Sequence, residues 1–100
     1  MSFNNIIDDF EFLENWEDKY KYIIDMGGSL AALKSNDYND DNKVEGCASQ
    51  VWLVVEENIK QGKTILKFKG DSDAYIVKGL IAIIFALFSE KTPSEILEID

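Results

Sequence analysis

Nine consecutive apolar residues, Leu80 to Phe88, give this 100-residue chain one segment without a polar face. A helix that is apolar nearly all round is stable in water only when other elements cover it. Gly70-Asp71-Ser72-Asp73 precedes the segment, and any of its three polar side chains can cap free helical N–H groups. The pattern predicts a helix from about Ala74 to Ser89 as the centre of the core. The full apolar stretch, Ile76 to Phe88, includes Lys78 and Gly79. It falls short of the roughly 20 residues needed to span a bilayer.

The remaining elements are read from periodicity and breakers. Ile6, Ile7, Phe10 and Leu13 share one face of a first helix. Asn15 is placed to cap a second, with Asp18 near its positive end. Trp16, Tyr20, Ile23 and Ile24 make its apolar stripe, and Gly27-Gly28 is expected to stop it in a left-handed turn. Residues 34–43 are polar and turn-forming, so they form a loop. Val44 opens a short extended piece. Val51 to Val55 is a β-branched and aromatic run suited to a strand covered on both faces. Asn58 to Lys63 reads as a hairpin loop around Gly62. Thr64 to Lys69 then alternates, with Leu66 and Phe68 on one face and Ile65, Lys67 and Lys69 on the other. Thr92-Pro93-Ser94-Glu95 carries the signature of a capping box with proline at the first helical position. No repeat or linker divides the chain, so residues 1–100 are expected to form a single domain.

Charge excludes several functions. Ten lysines stand against nineteen carboxylates, a net of −9, with no arginine and no histidine. Nucleic-acid binding needs a basic face, and an anionic membrane surface attracts one too, so neither partner is expected. The acid concentrates in residues 1–46. It forms either a solvated face or a field that steers a basic partner. The N-terminus MSFNNIIDDF lacks the basic and apolar regions of a signal peptide, and a cytoplasmic location is expected.

Missing histidines also remove the usual Ser-His and Cys-His dyads. A single cysteine cannot supply a zinc or iron–sulfur site, so no metal is expected. Asp37, Asp40 and Asp41 lie close in sequence but lack the glycine and terminal glutamate of a calcium loop. What remains is Cys47, in Val44-Glu45-Gly46-Cys47-Ala48-Ser49-Gln50-Val51-Trp52. Gly46 permits an unusual backbone angle before the thiol, and Ser49 and Gln50 offer hydrogen-bonding groups after it. From these residues alone two readings stand side by side. Cys47 is either a small buried core residue or a reactive thiol at a turn. A lone thiolate can attack a sulfur–sulfur bond without an internal base. Peroxide sensing fits less well, because no second cysteine is present to resolve an oxidised thiol.

Three ordered blocks resemble the SufE family, accessory proteins of cysteine desulfurases in iron–sulfur cluster assembly. Asp9 to Gly27 is similar to the family's opening helices. Asn42 to Val54 is similar to its N-x-V-x-G-C-x-S-x-V-W signature. Gly70 to Ala82 and Thr92-Pro93 are similar to its later blocks. The resemblance implies an α+β fold, a small curved antiparallel sheet of about three strands packed with helices, as in SufE and IscU-type scaffolds. It implies that Cys47 accepts sulfur as a persulfide from a SufS-type cysteine desulfurase and relays it to a SufB-containing scaffold. Gly46, Ser49 and Gln50 would support the loop. Asp73 is read as a helix cap first and as a contact of the loop or partner second. The chain itself would bind no cofactor, since pyridoxal phosphate belongs to the desulfurase. The alternative is a docking or regulatory module that binds desulfurase or scaffold without carrying sulfur.

Two departures accompany the resemblance. Ala48 stands where family members often have glutamine. The family's C-terminal helices, with their serine- and arginine-containing stretch, have no counterpart before Asp100. The chain therefore reads as C-terminally truncated relative to the family, which would leave Ile81, Ile84, Phe85 or Phe88 partly exposed and favour self-association.

Overall fold

A computed structural model describes residues 3–89 and 91–99. The order is α1 (Phe3–Phe12), α2 (Trp16–Gly27), a 3₁₀ turn (Ser35–Asp37), β1 (Val51–Lys60), β2 (Lys63–Ser72), α3 (Tyr75–Phe88) and α4 (Pro93–Leu97). This is an α+β fold, and α3 packs between the helices and the hairpin, as its apolar sequence requires. Ile81, Ala82 and Phe85 on α3 are buried, as are Ile6 and Ile23 from the first two helices and Val51 from β1. Leu30, Val44, Phe68 and Val77 close round the Val51–Ile81–Phe85 centre.

Coverage of α3 is one-sided. Leu80 is 45% exposed and Ile84 51%, whereas Ile81 and Phe85, which the sequence left as candidates for exposure, are buried. Phe88 is half-buried.

β1 and β2 form an antiparallel ladder from Val51↔Ser72 to Lys60↔Lys63. Pairing continues to the last residue before Gln61-Gly62, so the hairpin turn has two residues, not the expected six from Asn58 to Lys63. Both turn residues have positive φ, 53° and 75°, the backbone of a type I′ turn that matches strand twist. Gln61 accepts the strain that glycine avoids next to it.

The sheet is also thinner than expected. Among the described residues it has two strands, and the third is reduced to the isolated bridge Lys43↔Trp52. A second bridge, Leu66↔Lys91, lies along β2. The Val51–Val55 run is not covered on both faces. Val51 is buried, but Leu53 and Val55 are 38% and 55% exposed, because α3 reaches only the first part of that face. Gly70 brings strand and helix close: a Cβ there would lie 3.0 Å from Phe85 Cζ. The Phe85 ring stacks on Phe68 at 5.6 Å.

α2 starts as its sequence predicts, with Asn15 Oδ1 accepting the Asp18 N–H at 2.8 Å. Its end differs. Gly28 keeps right-handed helical angles (φ −67°, ψ −15°), so no left-handed turn explains the glycine pair. Packing explains the first of them. Gly27 faces Gly79 on α3, and a Cβ on Gly27 would sit 3.1 Å from Gly79 N. Trp16, Tyr20 and Ile24 extend the apolar stripe but remain exposed, with only Ile23 and Gly27 of α2 buried. In α1 only Ile6 is buried, and Ile7 is 38% exposed.

At the start of α3 the expected cap is absent. Ala74 is the N-cap and offers no side-chain hydrogen bond. The three polar residues before it are engaged elsewhere, as described below. The box at α4 forms as written: Thr92 Oγ1 accepts the Glu95 N–H at 3.2 Å, and Glu95 Oε1 accepts the Thr92 N–H at 3.0 Å.

Candidate functional site

Cys47 lies in the segment that turns from the polar loop into β1, and its thiol is free and exposed. Main-chain pairing fixes the upstream leg. The Val44 N–H donates to the Val51 carbonyl at 2.9 Å, and the Leu53 N–H donates to the Asn42 carbonyl at 2.8 Å. Gly46 then takes φ +82°, in the left-handed region, so a side chain there would add backbone strain. Nothing lies within 4 Å of a Cβ at this position, so the demand for glycine is one of backbone angle and not of space.

The downstream leg is held by Asp73. The Gln50 N–H donates to Asp73 Oδ1 at 2.9 Å, and the Asp73 N–H donates to the Gln50 carbonyl at 3.2 Å. Asp73 thus contacts the cysteine loop instead of capping α3, the reverse of the order in which the sequence ranked the two roles. Gln50 takes part through its main chain. Among the described residues no side-chain hydrogen bond of Ser49 or Gln50, and no cation, reaches the thiol. Residues 45–49 therefore form a short arch, exposed at 45–48 and half-buried at Ser49, with both feet on the β1–α3 corner.

A network that the sequence reading missed braces the loop before the arch. The Tyr38 hydroxyl donates to Asp71 Oδ2 at 2.5 Å, and its ring meets Trp52 edge-on at 5.0 Å. Asp71 Oδ1 accepts the Ser72 N–H at 2.8 Å and lies 3.4 Å from Lys78 Nζ on α3. Ser72 Oγ accepts the Ala74 N–H at 3.2 Å. Trp52, in the run expected to be covered on both faces, is half-buried and serves as the platform for Tyr38. The only sequence signal was Tyr38 itself, the one aromatic residue in KSNDYNDDNK.

Partial burial alone would raise the Asp71 pKa. Hydrogen bonds from Tyr38 and Ser72 and the charge of Lys78 outweigh it and hold the carboxyl below its usual value. The same hydrogen bond, with the neighbouring negative charge, raises Tyr38. A depressed carboxyl pKa means the folded state favours the carboxylate more than the unfolded chain does. This stabilisation is present above the unfolded value, about 4, and is lost as pH falls through the lower folded value. Asp71→Asn is therefore expected to flatten the acid side of a stability-versus-pH curve. Tyr38→Phe, which loses the hydrogen bond to Asp71, is expected to lower stability near neutrality, read from urea melts.

Loss of the Asp73 carboxylate is expected to free the arch without unfolding the domain. Asp73→Ala should speed amide exchange at Gln50, with a stability loss of about 1 kcal/mol; Asp73→Asn, which keeps an acceptor, should restore protection.

The α+β fold thus presents one free thiol on a braced, solvent-facing arch. The chain is a member of the SufE family, described as an Fe–S metabolism associated domain, which it matches over residues 4–100. It is 50% identical over 99 residues to uncharacterized SufE-like proteins of Rhizobium meliloti and Rhizobium etli. Those alignments cover 99% of this chain and 71% and 67% of the two relatives. Family membership associates the chain with iron–sulfur metabolism. No helix among the described residues is long and apolar enough to cross a membrane.

Proposed function

We propose that the protein is a sulfur acceptor that takes a persulfide sulfur onto Cys47 and passes it on for iron–sulfur cluster assembly. The observation that carries this reading is the exposed Cys47 thiol on an arch fixed at both feet. The donor in this scheme is a SufS-type cysteine desulfurase, and the recipient is a SufB-containing scaffold. Pyridoxal phosphate stays with the desulfurase, and this chain needs no cofactor of its own.

The chemistry is thiol–disulfide exchange applied to a persulfide. The Cys47 thiolate attacks the outer sulfur of the donor's cysteine persulfide. One sulfur–sulfur bond forms on Cys47 as the donor's sulfur–sulfur bond breaks, and the donor cysteine leaves as thiolate. The sulfur oxidation level is conserved, so no external oxidant or reductant takes part. The proton lost by Cys47 is available to the leaving thiolate. Among the described residues no cation reaches the thiol, and in this scheme the donor's surface is what favours the thiolate.

The exposed arch suits this reaction because a partner must bring its own sulfur within bonding distance. A thiol in a closed pocket would have to move first. The test is to incubate the protein with a desulfurase and cysteine and follow intact mass. A gain of one sulfur atom, absent from Cys47→Ser, is the expected result; no gain in the wild-type protein refutes the proposal.

A further inference from the structure

A second feature lies on helices that carry none of the cysteine arch. An apolar groove of about 310 Å³ runs between α1 and α3. Ile6, Ile7 and Phe10 line it from α1, and Leu80 and Ile83 from α3. Ile7 and Leu80 remain 38% and 45% exposed on its walls. We propose that this groove docks a basic amphipathic helix of a partner protein.

Shape and charge both select that occupant. The α1 wall is ten residues long, about 15 Å, enough for two to three turns of a helix laid alongside. Such a helix would present apolar anchors at i, i+3 or i+4, and i+7. The rim is acidic. Glu11 lines the groove itself, and α1 carries Asp8, Asp9 and Glu11 with no basic residue. Residues 3–28 hold seven carboxylates against two lysines, a net of −5, and all seven are exposed. A nucleic acid or an anionic membrane would meet that field with like charge. A second copy of this chain would bring the same acidic wall to the same groove, and like charges facing each other oppose closure. A helix with lysine or arginine flanking its apolar stripe meets neither penalty.

The experiment uses the full chain and two fluorescein-labelled helical peptides. One has leucines at i, i+3 and i+7 with lysines elsewhere, and the other has glutamate in place of every lysine. Anisotropy should show saturable binding of the lysine peptide and none of the glutamate peptide. The reversal Glu11→Lys, at the one carboxylate that lines the groove, should weaken binding about threefold, the scale of one exposed ion pair. Raising salt should weaken it as well. Leu80→Gln should weaken binding through the apolar wall. Leu80 is 45% exposed and Glu11 is exposed, and circular dichroism checks each fold. The proposal is overturned if the lysine peptide fails to bind, if the glutamate peptide binds equally, or if the charge reversal has no effect. It is also overturned if light scattering shows a dimer that Leu80→Gln dissolves, because the groove is then a self-interface. Cys47→Ser should bind the peptide like wild type, so groove and thiol are tested separately.

Discussion

Gly79→Ala is expected to cause the largest stability loss of any single methyl addition in this chain. A Cβ at Gly79 would fall 1.9 Å from the Ile23 carbonyl oxygen and 2.6 Å from the Ile23 carbonyl carbon. Both are main-chain atoms in the middle of α2, so no side-chain rotation relieves the overlap. The helices would have to separate, and α2–α3 packing is the most extensive contact between helices in the domain. Alanine gains about 1 kcal/mol over glycine in helix propensity. Overpacking against backbone should outweigh that and leave a net loss of about 3 kcal/mol or more. In a domain of this size such a loss lowers the melting temperature by more than about 10 °C. Gly27→Ala is the control. Its Cβ would meet Gly79 N and Lys78 Cγ at 3.1 Å, a shift of a few tenths of an ångström. Propensity and crowding should nearly cancel there. A Gly79→Ala protein that melts like wild type would mean that the helices cross less closely than described.

This crossing marks the limit of what the sequence discloses. The elements were legible wherever one segment carries its own signal. The capping box at Thr92, the Asn15 cap and the all-apolar run of α3 each specify a local structure without help from the rest of the chain. Gly27 and Gly79 carry no such signal, because their meaning depends on two helices fifty residues apart touching at one point. The same holds for the acidic run before α3. Asp71, Ser72 and Asp73 have the composition of a helix cap, and propensity assigns them to one. Tertiary partners win for the two aspartates, since Asp71 binds Tyr38 and Lys78 and Asp73 binds the Gln50 main chain, while Ser72 makes only a local bond from the Ala74 N–H. The hairpin turn is shorter than its composition suggests for a related reason. Asn58 and Lys60 look polar enough for a loop, yet the ladder continues through both because a type I′ turn needs only Gln61 and Gly62. Cys47 was singled out in the sequence by elimination and by its flanking motif. Its exposure was not, since free cysteines are as often buried.

Cys47→Ser is expected to abolish sulfur uptake while leaving the fold intact, and the separation of those two outcomes gives the experiment its force. The thiol is exposed and free, and no hydrogen bond or ion pair of the described residues depends on it. Serine therefore removes no buried contact, and surface changes of this kind shift stability by no more than about 0.5 kcal/mol. Melting curves of the two proteins should superimpose. Sulfur uptake should fall from one atom per chain to none, because the sequence holds no second cysteine to substitute. The arch supplies a graded companion. Gly46→Ala keeps the thiol but forces a side chain into left-handed backbone, so it should keep sulfur capacity and lower the rate at which capacity is reached. A carrier whose geometry matters loses rate in Gly46→Ala and capacity in Cys47→Ser. A docking module that holds no sulfur shows neither loss, because the wild-type protein then gains no mass at all.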